Sequence, residues 1–202
     1  MKKEYSETEF YASLAVARQG DAGAQYHVAL CYKNGEGTPR DMRQAVRWFL
    51  AAAGQGHVLA QYSLASHYQD GEGVPLDLEE AAKWCRAAAE QGHAAAQYRL
   101  ALSYDFGYGV EIDHKEAVRW YRAAAEQGDV NAQYNLALCC ENGQGVEKNL
   151  AEAVRWYLAA AEQGDSVAQY NLALCYENGE GVEKDEKEAF RWYLAAAVQG
   201  DD

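Results

Sequence analysis

The sequence has no excess of positive charge and no long apolar run, and each absence excludes a class of partner. Its 202 residues include 18 Lys and Arg against 31 Asp and Glu, a formal net charge of −13. A protein that binds nucleic acid needs a basic surface instead. No apolar stretch approaches the ~18 residues that a membrane-spanning helix requires. We therefore expect neither nucleic acid nor a membrane as partner, and the acidity favours a basic one.

The amino terminus and the cysteines carry no sign of secretion. The first ten residues, MKKEYSETEF, contain two lysines but no apolar segment of a signal peptide. Five cysteines are an odd number, which argues against a complete disulfide framework. We expect small buried thiols and a cytoplasmic location. A secreted or periplasmic location is the alternative if a signal peptide has been removed.

Motifs of catalysis and of cofactor binding are also missing. The chain has no Ser-x-x-Lys, no His-Glu-x-x-His, no Cys-x-x-Cys and no phosphate-binding Gly-x-x-x-x-Gly-Lys. A Gly-x-Gly pair recurs, but it follows a predicted helix and lacks the third glycine of a dinucleotide site. The sequence therefore predicts no catalytic residue, no cofactor and no enzymatic activity.

What the sequence does contain is an internal repeat of 36 residues without insertions or deletions. Ala-Gln-Tyr recurs from 24, Gly-x-Gly from 35 and Trp from 48, each five times at this spacing. The spacing divides the chain into a leader, residues 1–20, and five repeats, 21–56, 57–92, 93–128, 129–164 and 165–200. Because one repeat cannot bury its own apolar face, we expect the five to stack on one continuous core.

Each repeat is predicted to form two helices. The first runs from about Ala22 to Lys33 and ends at a Gly-x-Gly turn, since glycine adopts left-handed dihedrals without strain. The second begins at Asp41, three residues before Gln44, in a pattern that resembles a capping box, and ends at Gly56. The leader resembles a second helix with its own capping box, Ser6 to Glu9, and we expect it to cap the stack.

No equivalent cap follows the fifth repeat. Val198 stands where three earlier repeats have glutamate. Two interpretations are open: the chain is truncated, or this end meets another molecule. The protein is accordingly expected to be a monomer or a weak end-to-end oligomer through this uncapped face. A structural protein that assembles end to end is therefore one alternative for its function.

The repeated pattern A-x-A-Q-Y-x-L-A-x-x-Y-x-x-G-x-G-V-x-x-D-x-x-x-A-x-x-W-x-x-x-A-A-x-Q-G closely resembles the Sel1-like repeat family, relatives of the tetratricopeptide repeats, over residues 21–200. The resemblance implies an all-α, right-handed α/α superhelical solenoid whose concave face holds a protein or peptide. It further implies a bacterial adaptor, with a toxin-neutralising immunity protein as one alternative. A second alternative is a β-lactam-binding or hydrolysing protein of the cysteine-rich branch, although the cysteine pairs of that branch are missing here.

Positions that differ among the five copies are the candidates for partner binding. One stripe of variable positions on the first helix has the spacing i, i+4, i+8, so its members share a face. By analogy with related repeats, this face lines the concave side. Asparagine amides there can hold the backbone of an extended peptide, and an arginine can bind a carboxylate. The predicted partner-binding residues are His27, Ser63, His67, Arg99, Ser103, Asn131, Asn135 and Asn171.

Two further features have a structural and a functional interpretation. A basic residue precedes the Trp of every repeat, and its recurrence favours pairing with carboxylates or stacking on aromatic rings over a phosphate-binding track. His27, Cys31 and His67 are residue types that bind zinc. They are only three and belong to two adjacent helices, so no metal site is predicted.

Overall fold

The structure, a computed structural model, describes residues 6–198. This part of the chain contains eleven helices and no strand. The predicted all-α repeat fold is confirmed; residues 1–5 of the leader and 199–200 of the fifth repeat lie outside the described residues. The helices are α1 (Glu7–Arg18), α2 (Ala22–Asn34), α3 (Met42–Gly54), α4 (Val58–Asp70), α5 (Leu78–Glu90), α6 (Ala94–Phe106), α7 (His114–Ala125), α8 (Val130–Asn142), α9 (Leu150–Glu162), α10 (Ser166–Asn178) and α11 (Glu186–Val198).

Contacts divide the described residues into two compact units. The first comprises residues up to Ala96 together with Tyr108–Val110, and the second comprises Gln97–Gly107 and the residues from Glu111 onward. In the first unit, α1 packs Phe10 and Leu14 against Val28 and Cys31 of α2. This is the packing expected of a helix that covers the first repeat. Its capping box is complete, since Ser6 Oγ accepts from Glu9 N and Glu9 accepts from Ser6 N.

The second helices are capped by only half of the predicted box. Asp41 Oδ1 accepts a hydrogen bond from Gln44 N at 3.0 Å, and the other four second helices begin in the same way. The backbone N–H of Asp41, however, donates to the Tyr32 carbonyl of the first helix instead of to the Gln44 side chain. The reciprocal bond of the box is therefore absent. The side chain at the Gln44 position is left for other contacts, which matter below.

The two glycines of each turn have different roles. Gly71, at φ +69°, ends α4 in the left-handed conformation that the sequence predicts. Gly73 also has a positive φ, +78°, but a Cβ on it would lie 2.5 Å from the carbonyl oxygen of Met42 in the preceding repeat. The second glycine therefore allows the turn of one repeat to approach the helix start of the one before it.

A ladder of buried glutamines joins the first and second helices. Gln25, the middle residue of Ala-Gln-Tyr, donates from Nε2 to the Ala17 carbonyl at 3.1 Å. Its Oε1 accepts from Gln55 Nε2 at 2.7 Å. Gln61 repeats both contacts, with Ala53 and with Gln91. Each of these buried amides uses both its Nε2 donor and its Oε1 acceptor. The ladder therefore fixes the register between neighbouring helices without leaving these buried polar groups unsatisfied.

Candidate functional site

The predicted stripe on the first helices passes from exposed to buried along each helix. Its first row is accessible, with Leu59 45% and Val167 51% exposed, and Asn131 is exposed as well. The second row is half-buried: His27, Ser63, Arg99, Asn135 and Asn171. The third row is buried except for the half-buried Ser103, because it faces the core; Cys31, for example, packs against Phe10 of α1. The accessible surface thus consists of the first two rows.

The second unit brings two of the predicted asparagines together. Asn135 Nδ2 donates to the backbone carbonyl of Asn131 at 2.9 Å and approaches Tyr98 Oη at 3.5 Å. The Asn135 Oδ1 and the side-chain amides of Asn131 and Asn171 make no hydrogen bond within residues 6–198. This face therefore offers uncommitted amide donors and acceptors on α8 and α10.

The remaining predicted residues are more constrained. Ser103 Oγ donates to the Arg99 carbonyl at 3.1 Å, a bond back along the helix that uses its hydroxyl proton. His27 Nδ1 lies 3.9 Å from Cys31 Sγ, one turn along α2. Ser103 and His27 are both half-buried, so they lie at the border of the accessible surface and contribute little area to it.

His67 differs from the expectation. Its side chain is 2% exposed and packs 5.3 Å from the Phe49 ring, so it is not available to a partner in this structure. Nδ1 bonds to the Glu72 carbonyl at 3.0 Å, whereas Nε2 is buried without a hydrogen-bond partner. Burial is the main cause that lowers the pKa of His67, and a neutral imidazole is therefore favoured there.

All five cysteines are free and buried, as the sequence predicts. Burial raises the pKa of Cys31 and Cys175 to about 11 and that of Cys139 to about 12, with smaller contributions from nearby carboxylates. Thiols with such values carry almost no thiolate at neutral pH, so they are poor nucleophiles and poor metal ligands.

The basic residue before each Trp is structural in four of the five repeats. Arg119 pairs with Glu116 at 2.9 Å, and its guanidinium lies 4.6 Å from the centroid of Trp120. The same pairing and stacking recur at Lys83, Arg155 and Arg191. The glutamate in each pair occupies the third position of the helix, where the incomplete capping box leaves it available. The interpretation of this column as ion pairs with ring stacking is confirmed in those repeats.

Comparison with known proteins decides the family. The sequence model of the Sel1 repeat matches five consecutive segments, residues 22–57, 58–93, 94–129, 130–165 and 166–201. The chain belongs to the Sel1 repeat family. Each matched segment begins one residue after the repeat delimited by the sequence spacing.

Solved structures agree with this assignment. A protective antigen of uropathogenic Escherichia coli with an SLR fold superposes with a TM-score of 0.89 at 38% identity, over 95% of this chain and 41% of that one. A Sel1 repeat protein from Oxalobacter formigenes gives 0.89 at 36% identity, over 97% and 81%. An immunity protein from Pseudomonas aeruginosa, 19% identical with a TM-score of 0.51 over 95% and 74%, shares the fold alone. Among curated proteins, none matches the sequence.

The Sel1 repeats contain one set of polar pairs that sequence reasoning missed. Tyr157 Oη, on a second helix, donates to Glu141 at 2.7 Å, and Tyr193 Oη donates to Glu177 at 2.6 Å. That hydrogen bond is the main cause that raises the pKa of Tyr193 to about 12. The available signal was the spacing, because each pair joins a carboxylate to a tyrosine 16 residues later.

The third repeat extends this pair into a cluster within the second unit. Asp105 accepts from Tyr121 Oη at 3.2 Å and bonds to His114 Nδ1 at 2.8 Å. Gln144 Nε2 lies 3.0 Å from the same carboxylate. Asp105 is thus held by three partners, which favours a role in joining helices over one in chemistry.

Neither a metal centre nor a membrane span is found in the described part of the chain. Residues 6–198 contain no group of three or more His, Cys, Asp or Glu side chains arranged to hold a metal ion. None of the helices between these residues has the length and apolar character needed to cross a bilayer. Sel1 repeat proteins generally mediate protein–protein interaction.

Proposed function

We propose that the chain is an adaptor that holds an extended segment of a protein partner on the first-helix face of its second unit. The observation that carries the proposal is a set of uncommitted polar groups on α8 and α10, namely the side-chain amides of Asn131 and Asn171 and the Oδ1 of Asn135. An amide can pair with the N–H and C=O groups of a peptide backbone without reading its side chains. The exposed Val167, four residues before Asn171, supplies apolar contact beside it.

Arg99 and the acidity of the chain add selectivity to this surface. Arg99 can bind a carboxylate of the partner, whereas the net charge of −13 favours basic residues elsewhere in it. In the first unit, the same rows of the stripe carry Ser63 and His27, both half-buried. We include these residues in the proposal as the corresponding face of that unit. His67 is left out because it is buried.

No feature of the described residues favours an immunity role or the binding of β-lactams. The immunity role belongs to the Pseudomonas protein, and a shared fold at this identity does not transfer a function. The β-lactam hypothesis depended on cysteine pairs, and the five thiols here are unpaired and buried.

The test begins with affinity capture from the native organism and identification of the bound protein by mass spectrometry. The affinity of that partner is then measured for the double variant Asn135→Ala with Asn171→Ala. Losing two backbone-binding amides is expected to weaken binding by at least about tenfold. Asn142→Ala with Asn178→Ala is the matched control, because these asparagines end the same two helices and are exposed.

Unchanged affinity in the Asn135/Asn171 variant, or an equal loss in the control, would contradict the proposal. Circular dichroism of both variants shows whether the fold is retained, so that loss of binding is not confused with unfolding.

A further inference from the structure

The first repeat breaks the charge pattern of the other four at a single position. The third residue of the second helix is Glu80, Glu116, Glu152 and Glu188 in the later repeats but Gln44 in the first. A neutral amide cannot form the ion pair that holds the following basic residue. Arg47 accordingly makes no ion pair within residues 6–198, whereas its four counterparts do.

Arg47, which has no ion pair in the described part of the chain, lines an open pocket. A pocket of about 260 Å³ lies on α3 and is lined by Gln44, Arg47, Trp48 and Ala51. These positions have the spacing i, i+3, i+4, i+7, so they share one face of the helix. In the later repeats a guanidinium or ammonium group lies over the Trp ring, at 4.6 Å in the third. In the first repeat, no such stacking occurs between Arg47 and Trp48 within the described residues.

The charged side chains of α3 itself are all positive, although the molecule is strongly negative. Among the five second helices of the described residues, only α3 contains no carboxylate. Arg43 lies one turn before Arg47 on the same face, and Arg40 precedes the N-cap; all three are exposed and none has an ion pair within residues 6–198. The nearest carboxylate in sequence, Asp41, is engaged in capping α3.

We infer that this basic face of α3 is a docking site for an acidic segment of a partner protein, with one carboxylate bound by Arg47 beside the Trp48 indole. A guanidinium binds a carboxylate through two parallel hydrogen bonds, and the ring supplies apolar contact for its methylene groups. The net charge of the whole chain opposes acidic ligands only weakly, because salt screens charges that lie more than about 8 Å away at physiological ionic strength.

The probe is a fluorescein-labelled peptide of about eight alternating Glu and Ser residues, and its isosteric control has Gln in place of Glu. Fluorescence anisotropy at about 50 mM salt measures binding to the full chain. Two variants remove the site in different ways. Arg47→Ala deletes the guanidinium. Gln44→Glu supplies the internal carboxylate that the other four repeats already contain, so we expect this second variant to keep the fold.

We expect both variants to bind the Glu peptide at least about tenfold more weakly than the parent chain does. The Gln peptide should bind the parent no more tightly than the Glu peptide binds the variants. Arg119→Ala is the matched control: it removes the corresponding arginine of the third repeat, which already pairs with Glu116, and should change affinity less than about twofold. Equal affinity of the parent for both peptides, or equal losses in Arg47→Ala and Arg119→Ala, would overturn the inference. So would sedimentation showing self-association of the parent that Arg47→Ala abolishes, because the occupant would then be a second copy.

Discussion

The first helices α4 and α6 begin with a histidine cap, whereas α2, α8 and α10 begin with an aspartate. This difference should make stability depend on pH. His93 Nδ1 accepts from Ala96 N at 3.2 Å, whereas Asp129 Oδ1 accepts the corresponding bond of α8 at 2.9 Å. A histidine can accept only while its imidazole is neutral. Once protonated, it loses the acceptor and places a positive charge at the positive end of the helix dipole.

The direction of the effect follows from the pKa. Burial is the main cause that lowers the pKa of His93 below its usual 6.5. The unfolded chain therefore binds this proton first as the pH falls. The stabilisation is complete above the unfolded pKa and is lost progressively as the pH falls from about 6.5 toward the lower folded value. Above that range, His93 should add no pH dependence.

His93→Asp is the informative change, and its magnitude comes from two contacts. Aspartate keeps the cap at both pH values, and losing an N-cap costs about 1 kcal/mol. The substitution also removes the ring contact with Tyr62, 4.6 Å away, which is worth about 0.5–1.5 kcal/mol at any pH. The absolute stability at neutral pH is therefore a poor test. The discriminating quantity is the difference in unfolding free energy between variant and parent, which should shift by about 1 kcal/mol in favour of the variant between about pH 7.5 and 5.5.

Urea denaturation followed by circular dichroism at the two pH values measures this shift, and the aspartate stays ionised throughout that range. His93→Asn is the control, because asparagine caps equally well without a charge or a titration in this range. Both variants should show the same reduced pH dependence. If both retained the pH dependence of the parent, the reasoning about the histidine cap would be refuted.

Three other predictions concern packing. Gly73→Ala should destabilise by about 1–2 kcal/mol more than Gly92→Ala in urea melts, because both have a positive φ but only Gly73 approaches a neighbouring backbone; equal losses would rule out the close approach as the reason for glycine. His67→Cys, which installs the residue found at this position in three other repeats, should raise the unfolding free energy by about 1 kcal/mol by removing a buried nitrogen without a partner; a loss would show that the Glu72 hydrogen bond and the packing on Phe49 together outweigh that gain. Finally, a thiol reagent at about pH 8 should label the folded chain far more slowly than the urea-unfolded chain, since burial raises the pKa of Cys31 and Cys139; fast labelling of the native protein would contradict their burial.

The fold was predictable because its signals are local and repeated. Gly35 ends α2 and Asp41 begins α3 as the sequence indicates, since a left-handed dihedral and a side-chain cap depend on a few neighbouring residues. Five copies of each signal then removed the ambiguity of any single one. The positions of the helix ends agree with the prediction to within one or two residues.

The interior was harder to predict because its contacts join residues far apart in sequence. The Gln55–Gln25 bond spans 30 residues and the Tyr157–Glu141 bond spans 16, and nothing in either local sequence names the partner. The burial of His67 was missed for a related reason. The face of a helix follows from its spacing, but whether the last turn of that face meets solvent or a neighbouring ring, here Phe49, depends on the adjacent repeat.

Departures from the repeat are therefore most informative where the structure shows what the repeated residue does. The glutamate that pairs with the basic residue before each Trp cannot be recognised as an ion-pair partner from the sequence, because its position is that of a residue in a capping box. Once the box is seen to be incomplete and the glutamate to hold Arg119 over Trp120, its replacement by Gln44 acquires a consequence. The change from a carboxylate to an amide leaves the backbone cap of α3 intact and frees one arginine. A repeat protein can in this way alter its surface chemistry at one repeat without disturbing the stack, because the cap and the ion pair at that position use different atoms of the chain.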